Sequence, residues 1–237
     1  NQSFAGIRIK SSSSNTIFNN NLSNNSQGYS TGIYLDTSSN NNTITGNIIS
    51  GYDDGIYLSN SHENTISGNN QIQGSNNGIY LESSPNNTIY ENNISNNVNG
   101  LQIHSSNVTI NECVILNNAT DIYLHNSSIY ANKSTFDESK VTFVDSNSSL
   151  TTNWDFYIKV VDENGIPVRN VSVIVRKNDG TSLSLQNGTN DINNPFQYAL
   201  TDTYGLVKVE DMKWYNHVLN AQNKNKFTPY SVTIIYG

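Results

Sequence analysis

Short bursts of apolar–polar alternation, separated by runs of Asn, Ser and Gly, set the pattern of this chain. One burst recurs as Gly32-Ile33-Tyr34-Leu35, Gly55-Ile56-Tyr57-Leu58, Gly78-Ile79-Tyr80-Leu81, Gly100-Leu101-Gln102-Ile103 and Asp121-Ile122-Tyr123-Leu124. Gly6-Ile7-Arg8-Ile9 is a degenerate copy at the front, and successive copies start 26, 23, 23, 22 and 21 residues apart. Alternation of this kind predicts a β-strand, and a fixed period in this range predicts stacked repeats. The unit is too short for a helical repeat and lacks the leucine spacing of a horseshoe repeat. A coil of parallel strands satisfies both constraints, each turn bonded to the next at about 4.8 Å. Ile33 with Leu35, and their counterparts in each copy, then stack inward. Tyr34, Tyr57, Tyr80 and Tyr123 face outward, in register with Arg8 and Gln102.

A second burst follows each copy: Thr16-Ile17, Thr43-Ile44, Thr65-Ile66, Thr88-Ile89 and Thr109-Ile110. Three residues beyond each Ile stand Asn20, Asn47, Asn69 and Asn92, then Cys113. Asn residues stacked at a corner can pass amide hydrogen bonds from turn to turn and satisfy backbone groups that the bend frees. Ile129 followed by Asn132 reads as a weaker continuation. Leu22, Ile49, Ile94 and Ile115 make a third inward stack, which Ile72 joins if one residue is inserted near Gln71. Three strands per turn imply a roughly triangular coil, with Gly and Asn supplying left-handed backbone at its corners.

The pattern stops near Ser146-Asn147-Ser148-Ser149, which divides the chain into a coil over 1–150 and a second domain over 151–237. Phe156–Val161, Val171–Val175, Leu206–Val209 and Tyr230–Ile235 read as ordinary strands. Asp162-Glu163-Asn164-Gly165 is a hairpin turn and Asn178-Asp179-Gly180 a second one. Short strands between turn signals predict a small β-sandwich.

The repeated Gly-Ile-Tyr-Leu, Asn-Asn-Thr-Ile and Asn-x-Ile phrases resemble right-handed parallel β-helix repeats of the NosD and carbohydrate-binding/sugar-hydrolase type. Downstream, Val160-x-Asp162-x-x-Gly165-x-Pro167-Val168-x-x-Val171-x-Val173 and Thr201-Asp202-x-x-Gly205 resemble the carboxypeptidase-regulatory-like, transthyretin-like sandwich. Phe227–Thr233 is similar to the end of such domains in archaeal surface proteins, where they follow β-helix repeats. The resemblance implies an all-β protein: a right-handed parallel β-helix of about six coils, then a small Ig/transthyretin-like β-sandwich. It also implies an exported, archaeal, cell-surface or extracellular protein.

Composition refines this picture. Hydrophobic residues make up 35% and charged residues only 13% of 237. Such polarity would imply disorder if the apolar residues were not on schedule, and a thin solenoid core needs few of them. The net charge of −7, with 12 Lys and Arg in no basic cluster, argues against a nucleic-acid partner. No apolar run is long enough for a membrane-spanning helix. Cys113 is the single cysteine, so an intrachain disulfide is ruled out.

Parallel β-helices often act on polysaccharides, so an acidic site is the first chemistry to weigh. Asp36, Asp53, Asp54, Glu63, Glu82, Glu91, Glu112 and Asp121 are scattered over the coil. Asp36 and Glu82 share a register two coils apart, about 10 Å, beyond the 6.5–9.5 Å or so of an inverting carboxylate pair. His104 and His125 share a register on adjacent coils, about 5 Å apart, without a third metal ligand on their face. No cofactor is expected. The Tyr34, Tyr57, Tyr80 and Tyr123 face has two readings: β-propensity with stacking, or a strip that contacts another subunit or a sugar chain.

Asn1, Asn21, Asn24, Asn41, Asn86, Asn93, Asn107, Asn118, Asn126, Asn132, Asn147, Asn170 and Asn187 each begin an Asn-x-Ser/Thr triplet. Asn24, Asn86 and Asn107 are the expected glycan carriers. Lys133–Leu150 is a candidate cover for one end of the coil, and the opposite end, near Asn1, offers none. That end is expected to have lost coils or to be capped by another molecule through strand addition. Together these features point to a non-enzymatic structural protein of a surface layer, sheath or filamentous appendage, self-assembling and exposed to surface glycans. The alternative is a polysaccharide-binding or polysaccharide-processing β-helix module.

Overall fold

The structure, a computed structural model, describes residues 4–24, 29–68, 71–176, 199–201, 203–204, 206–215 and 231–235. They divide into two compact units, one ending at Thr152 and the other beginning at Asn153. In the first unit each turn of chain contributes one strand to each of three parallel sheets. The first sheet is built from Phe4–Lys10, Ser30–Asp36, Asp54–Ser59, Asn77–Glu82, Asn99–His104, Thr120–His125 and Val141–Phe143. The second contains Thr16–Phe18, Thr43–Thr45, Thr65–Ser67, Asn87–Tyr90, Asn107–Asn111 and Ser128–Asn132, and continues into Ser149–Lys159. The third contains Asn21–Ser23, Ile48–Ser50, Gln71–Gln73, Asn93–Ser95, Val114–Leu116 and Thr135–Phe136. From the first to the last strand of the first sheet the chain makes about six coils.

The core follows the period. Ile33, Ile56, Ile79, Leu101 and Ile122 pair in register and are fully buried, as are Leu35, Leu58, Leu81, Ile103 and Leu124. Ile44, Ile66, Ile89 and Ile110 stack inside the second sheet, and Ile49, Ile72, Ile94 and Ile115 inside the third. Ile72 thus lies in its stack, opposite Ile49 and Ile94, with the extra residue between Ile66 and Gln71 absorbed. Each such side chain stabilises the coil by about 1.5–3 kcal/mol relative to exposure.

Left-handed backbone does occur at the corners, at Gly46, Gly51, Gly68, Gly74, Asn19, Asn41, Asn60 and Asn86 among others. The glycine that opens each Gly-Ile-Tyr-Leu has a different cause. A Cβ on Gly78 would lie 2.7 Å from both the Gly100 carbonyl oxygen and Ile94 Cγ2. Gly55 and Gly100 meet the next coil in the same way, so it is space, not φ, that requires glycine there.

Two expectations are corrected at the far end. Ile129 pairs with Val108, not Ile110; Ala131 takes the Ile110 position and Asn132 lies opposite Asn111. The residue bonded beneath Cys113 is Ser134, whose Oγ accepts from Cys113 N at 3.2 Å. The small Ala131 side chain is buried in the stack, which moves the register by two residues and takes Asn132 off the ladder. Likewise Lys133–Leu150 is not a cover but a further coil: Ile115 pairs with Phe136, and Ile122 and Leu124 pair with Val141 and Phe143. A single 3-10 turn, Glu138–Lys140, interrupts that coil, capped by the Asp137 side chain accepting from Ser139 N.

In the second unit, Ser172–Arg176 pairs antiparallel with Ala199–Leu200 and with Ser231–Ile235. The expected turn at Asp162–Gly165 is present: Gly165 has φ +79° and donates to Asp162 O at 3.0 Å. Asp162 Oδ1 accepts from Asn164 N and Ile166 N. The Thr201 hydroxyl donates to Val168 O at 2.7 Å and accepts from Val171 N, tying two segments of this unit together. The expected Asn178-Asp179-Gly180 turn and most of the closing Phe227–Thr233 segment lie outside the described residues, as do Asn69, Asn1 and Asn187.

Candidate functional site

The outer face of the first sheet brings the chemistry-bearing side chains together, because parallel in-register strands place like positions one above another. Tyr34 and Tyr57 have ring centroids 4.9 Å apart and planes within 4°; Tyr57 and Tyr80 are 4.7 Å apart and within 6°. The rings are stacked face to face along the coil axis, so they present edges and hydroxyls outward. The two terminal ring faces are also covered. The Arg8 guanidinium lies 5.2 Å from the Tyr34 centroid, and His104 meets Tyr80 edge-on at 5.4 Å. Tyr123 is not part of this stack, since Gln102 stands in register between it and Tyr80. It contacts His104 at 5.9 Å instead.

The acids around this stack are engaged. Asp36 forms an ion pair with Arg8, Tyr57 OH donates to Glu82, and Tyr29 OH donates to Asp54. Asn77 Nδ2 donates to the other Asp54 oxygen at 2.8 Å. Asp53 accepts from Ser30 N at 2.7 Å and from Asn76 Nδ2 at 3.0 Å. Ser59 lies in register between Asp36 and Glu82, so the two carboxylates are not neighbours. Burial, then the bond to Glu82, pushes the Tyr57 phenol well above its ordinary range. Burial and the Glu82 charge raise Tyr80 to about 12. Burial raises Asp54, against the bonds from Tyr29 and Asn77 that favour its ionised form.

His104 and His125 are neighbours as expected, 5.2 Å apart and edge to face. His104 also contacts the Tyr80 hydroxyl at 3.5 Å and Gln102 Nε2 at 3.3 Å. Burial, with the His125 charge second, lowers its pKa; Glu82 opposes. Among the described residues no group of three or more His, Cys, Asp or Glu is arranged to hold a metal. Cys113 is buried, its thiol donating to Asn111 O at 3.3 Å and its pKa raised by burial, which leaves it unreactive.

The polar ladder is wider than the sequence indicates. Asn20 N and Nδ2 both donate to Asn47 Oδ1, and Asn92 Nδ2 donates to the Ile66 carbonyl of the coil before it. A second ladder runs Asn15, Asn42, Asn64, Asn87, each backbone N donating to the Oδ1 of the next coil. A third runs through the hydroxyls of Ser39, Ser61, Ser84, Ser106, Ser127 and Ser148 at separations of 22, 23, 22, 21 and 21. Ser75, Asn97 and Asn118 form a fourth, closed by Asp121. Their signal in the sequence is the recurrence itself, at the same period as the apolar stacks.

A family model described as the right-handed β-helix region matches residues 5–152. The chain belongs to the right-handed β-helix family. No curated protein matches the chain. The match to this β-helix ends at Thr152, where the first compact unit ends, so the further coil over 133–150 falls inside it. Membership establishes a right-handed β-helix, to which the strand order adds parallel pairing and about six coils; the chemistry has to be read from the site. On this β-helix the site is a closed aromatic stack in which Tyr57 OH donates to Glu82, Tyr80 OH contacts His104 and Asp36 pairs with Arg8 through one oxygen, its Oδ1 being buried without a hydrogen-bond partner.

Proposed function

We propose that this β-helix is a structural element outside the cell, a stiff rod of a surface layer, sheath or filamentous appendage that assembles with identical subunits and catalyses nothing. The observation that carries it is the use of the polar groups. Asp36, Asp53, Asp54 and Glu82, the acids of the first-sheet face, are all bonded to neighbouring coils. The Asn and Ser ladders are likewise coil-to-coil fasteners. Chemistry of this kind stiffens a coil and, among the described residues of this face, leaves no convergent set of groups for a substrate. Contact surface comes from exposed Phe18, Tyr90 and Tyr130 on the second sheet and Ile48 and Val114 on the third. A sugar platform needs an open ring face, and the Tyr34–Tyr57–Tyr80 stack has both ends covered.

The second unit completes this reading as a carboxypeptidase-regulatory-like sandwich appended to the rod, of the kind found on archaeal cell surfaces. Its support is the Asp162–Gly165 turn and the antiparallel pairing of Ser172–Arg176. NosD-type kinship is part of the same proposal. Electron microscopy of native and purified protein over a range of concentrations tests it. Ordered filaments, tubes or sheets are expected; uniformly single particles at every concentration would overturn the assembly.

A further inference from the structure

Asn-x-Ser/Thr triplets are scattered through the sequence, but the coil sorts them. Asn41-Asn42-Thr43, Asn86-Asn87-Thr88 and Asn107-Val108-Thr109 occupy one register, since Thr43, Thr65, Thr88 and Thr109 pair in succession. All three Asn side chains are exposed, at the corner that leads into the second sheet. Their backbone is held by the ladder: Asn41 N donates to His62 O at 3.2 Å and Asn86 N to Asn107 O at 2.8 Å. Asn107 uses only its oxygen, accepting from Ser128 Oγ at 2.8 Å, which leaves Nδ2 available.

Asn21, Asn93, Asn126, Asn147 and Asn170 are exposed as well but lie outside this register, and three further triplets are buried or half-buried. Asn118 is buried, and its Nδ2 donates to Ile94 O, Leu116 O and Asp121 Oδ1 at 3.0–3.3 Å. Anything attached there would open two coils. Asn24 is half-buried, with Nδ2 donating to Ser30 Oγ at 2.6 Å. Asn132 is half-buried as well, with a buried Oδ1.

We propose that this corner is an N-glycan-bearing edge with Asn41, Asn86 and Asn107 as acceptors, and that Asn118 is not one. The proposal rests on export of the chain, and it deepens the structural reading by keeping this corner out of subunit contacts. The donor is an oligosaccharide linked to a lipid phosphate or pyrophosphate. Asn Nδ2 bonds to the anomeric carbon as the bond from that carbon to the phosphate oxygen breaks. The amide proton passes to a base, and the lipid phosphate leaves. Thr43, Thr88 and Thr109 supply the hydroxyl that the transferase reads two residues on.

Peptide mass spectrometry of the folded protein from its native host, before and after chemical deglycosylation, tests this. Glycans are expected on Asn41, Asn86 and Asn107 and none on Asn118. Thr88→Ala is expected to abolish the glycan on Asn86 while Thr88→Ser keeps it. A bare corner, a glycan on Asn118 in folded protein, or a modified Asn86 in Thr88→Ala would each overturn the proposal. A sugared corner on single particles would overturn the assembly alone; a bare corner on filaments would overturn the glycan edge alone.

Discussion

At the scale of single residues, the coil imposes backbone on side chains that do not favour it. Ser11, Thr37, Asn60, Ser83, Ser105 and Asn126, the residues just after the first-sheet strands, have φ between 47° and 51°. Thr37 is the poorest fit, because a β-branched side chain crowds its own backbone at φ 51°. Thr37→Asn is expected to raise stability by about 0.5–1 kcal/mol, part of the left-handed penalty, read from the midpoint of urea unfolding; an unchanged or lower midpoint would count against the strain. His104 gives a pH dependence. Its folded pKa is lowered by burial and by His125, so the folded state binds fewer protons than the unfolded chain. The stability it contributes is complete above the unfolded value near 6.5 and is lost as pH falls from there through the folded value. Unfolding midpoints are expected to drop between about pH 7 and pH 5, with a shallower drop in His104→Gln. Equal slopes in the two proteins would show that the pair is solvated.

At the scale of strands and ladders, the side-chain amides do what backbone bonds cannot do at a corner. Asn97 Nδ2 donates to Ile72 O, Ser95 O and Asn118 Oδ1, and its Oδ1 accepts from Ser75 N at 3.0 Å. Asn97→Ala leaves the Ser75 donor and the Ile72 acceptor buried without that partner, which costs about 1–3 kcal/mol. Chemical denaturation checks the value, and a loss equal to that of Asn93→Ala, an exposed residue on the strand just before Asn97, would deny the ladder its role. The inward stacks were legible at this scale because strand parity is local: Ile33, Leu35 and their copies alternate with Tyr34 and its copies. The register of Ile129 was not legible. It depends on which side chain fills the Ile110 position, and Ala131 does so.

At the scale of the whole molecule, the Tyr face is where assembly and internal stacking part company. Replacing Tyr34, Tyr57 and Tyr80 by Ser removes a stack whose faces are closed by Arg8 and His104. If the stack is a spine of the coil, the variant loses stability but still forms filaments by electron microscopy once folded. If the hydroxyl edges are a subunit contact, a folded variant stays as single particles. Period and alternation alone were enough to determine a parallel coil, its turn length, its inward stacks and its outward Tyr row, because each depends on neighbours along the chain. The remaining decisions needed atoms brought together from coils more than twenty residues apart, as with Ser84 N and Ser106 Oγ at a separation of 22. Only there do the Tyr rings close on one another, the acids find partners, and Gly78 meet the carbonyl of Gly100. Only there, too, is Asn86 left exposed while Asn118 is buried: the same triplet is read alike in one dimension and differently once the coils are stacked.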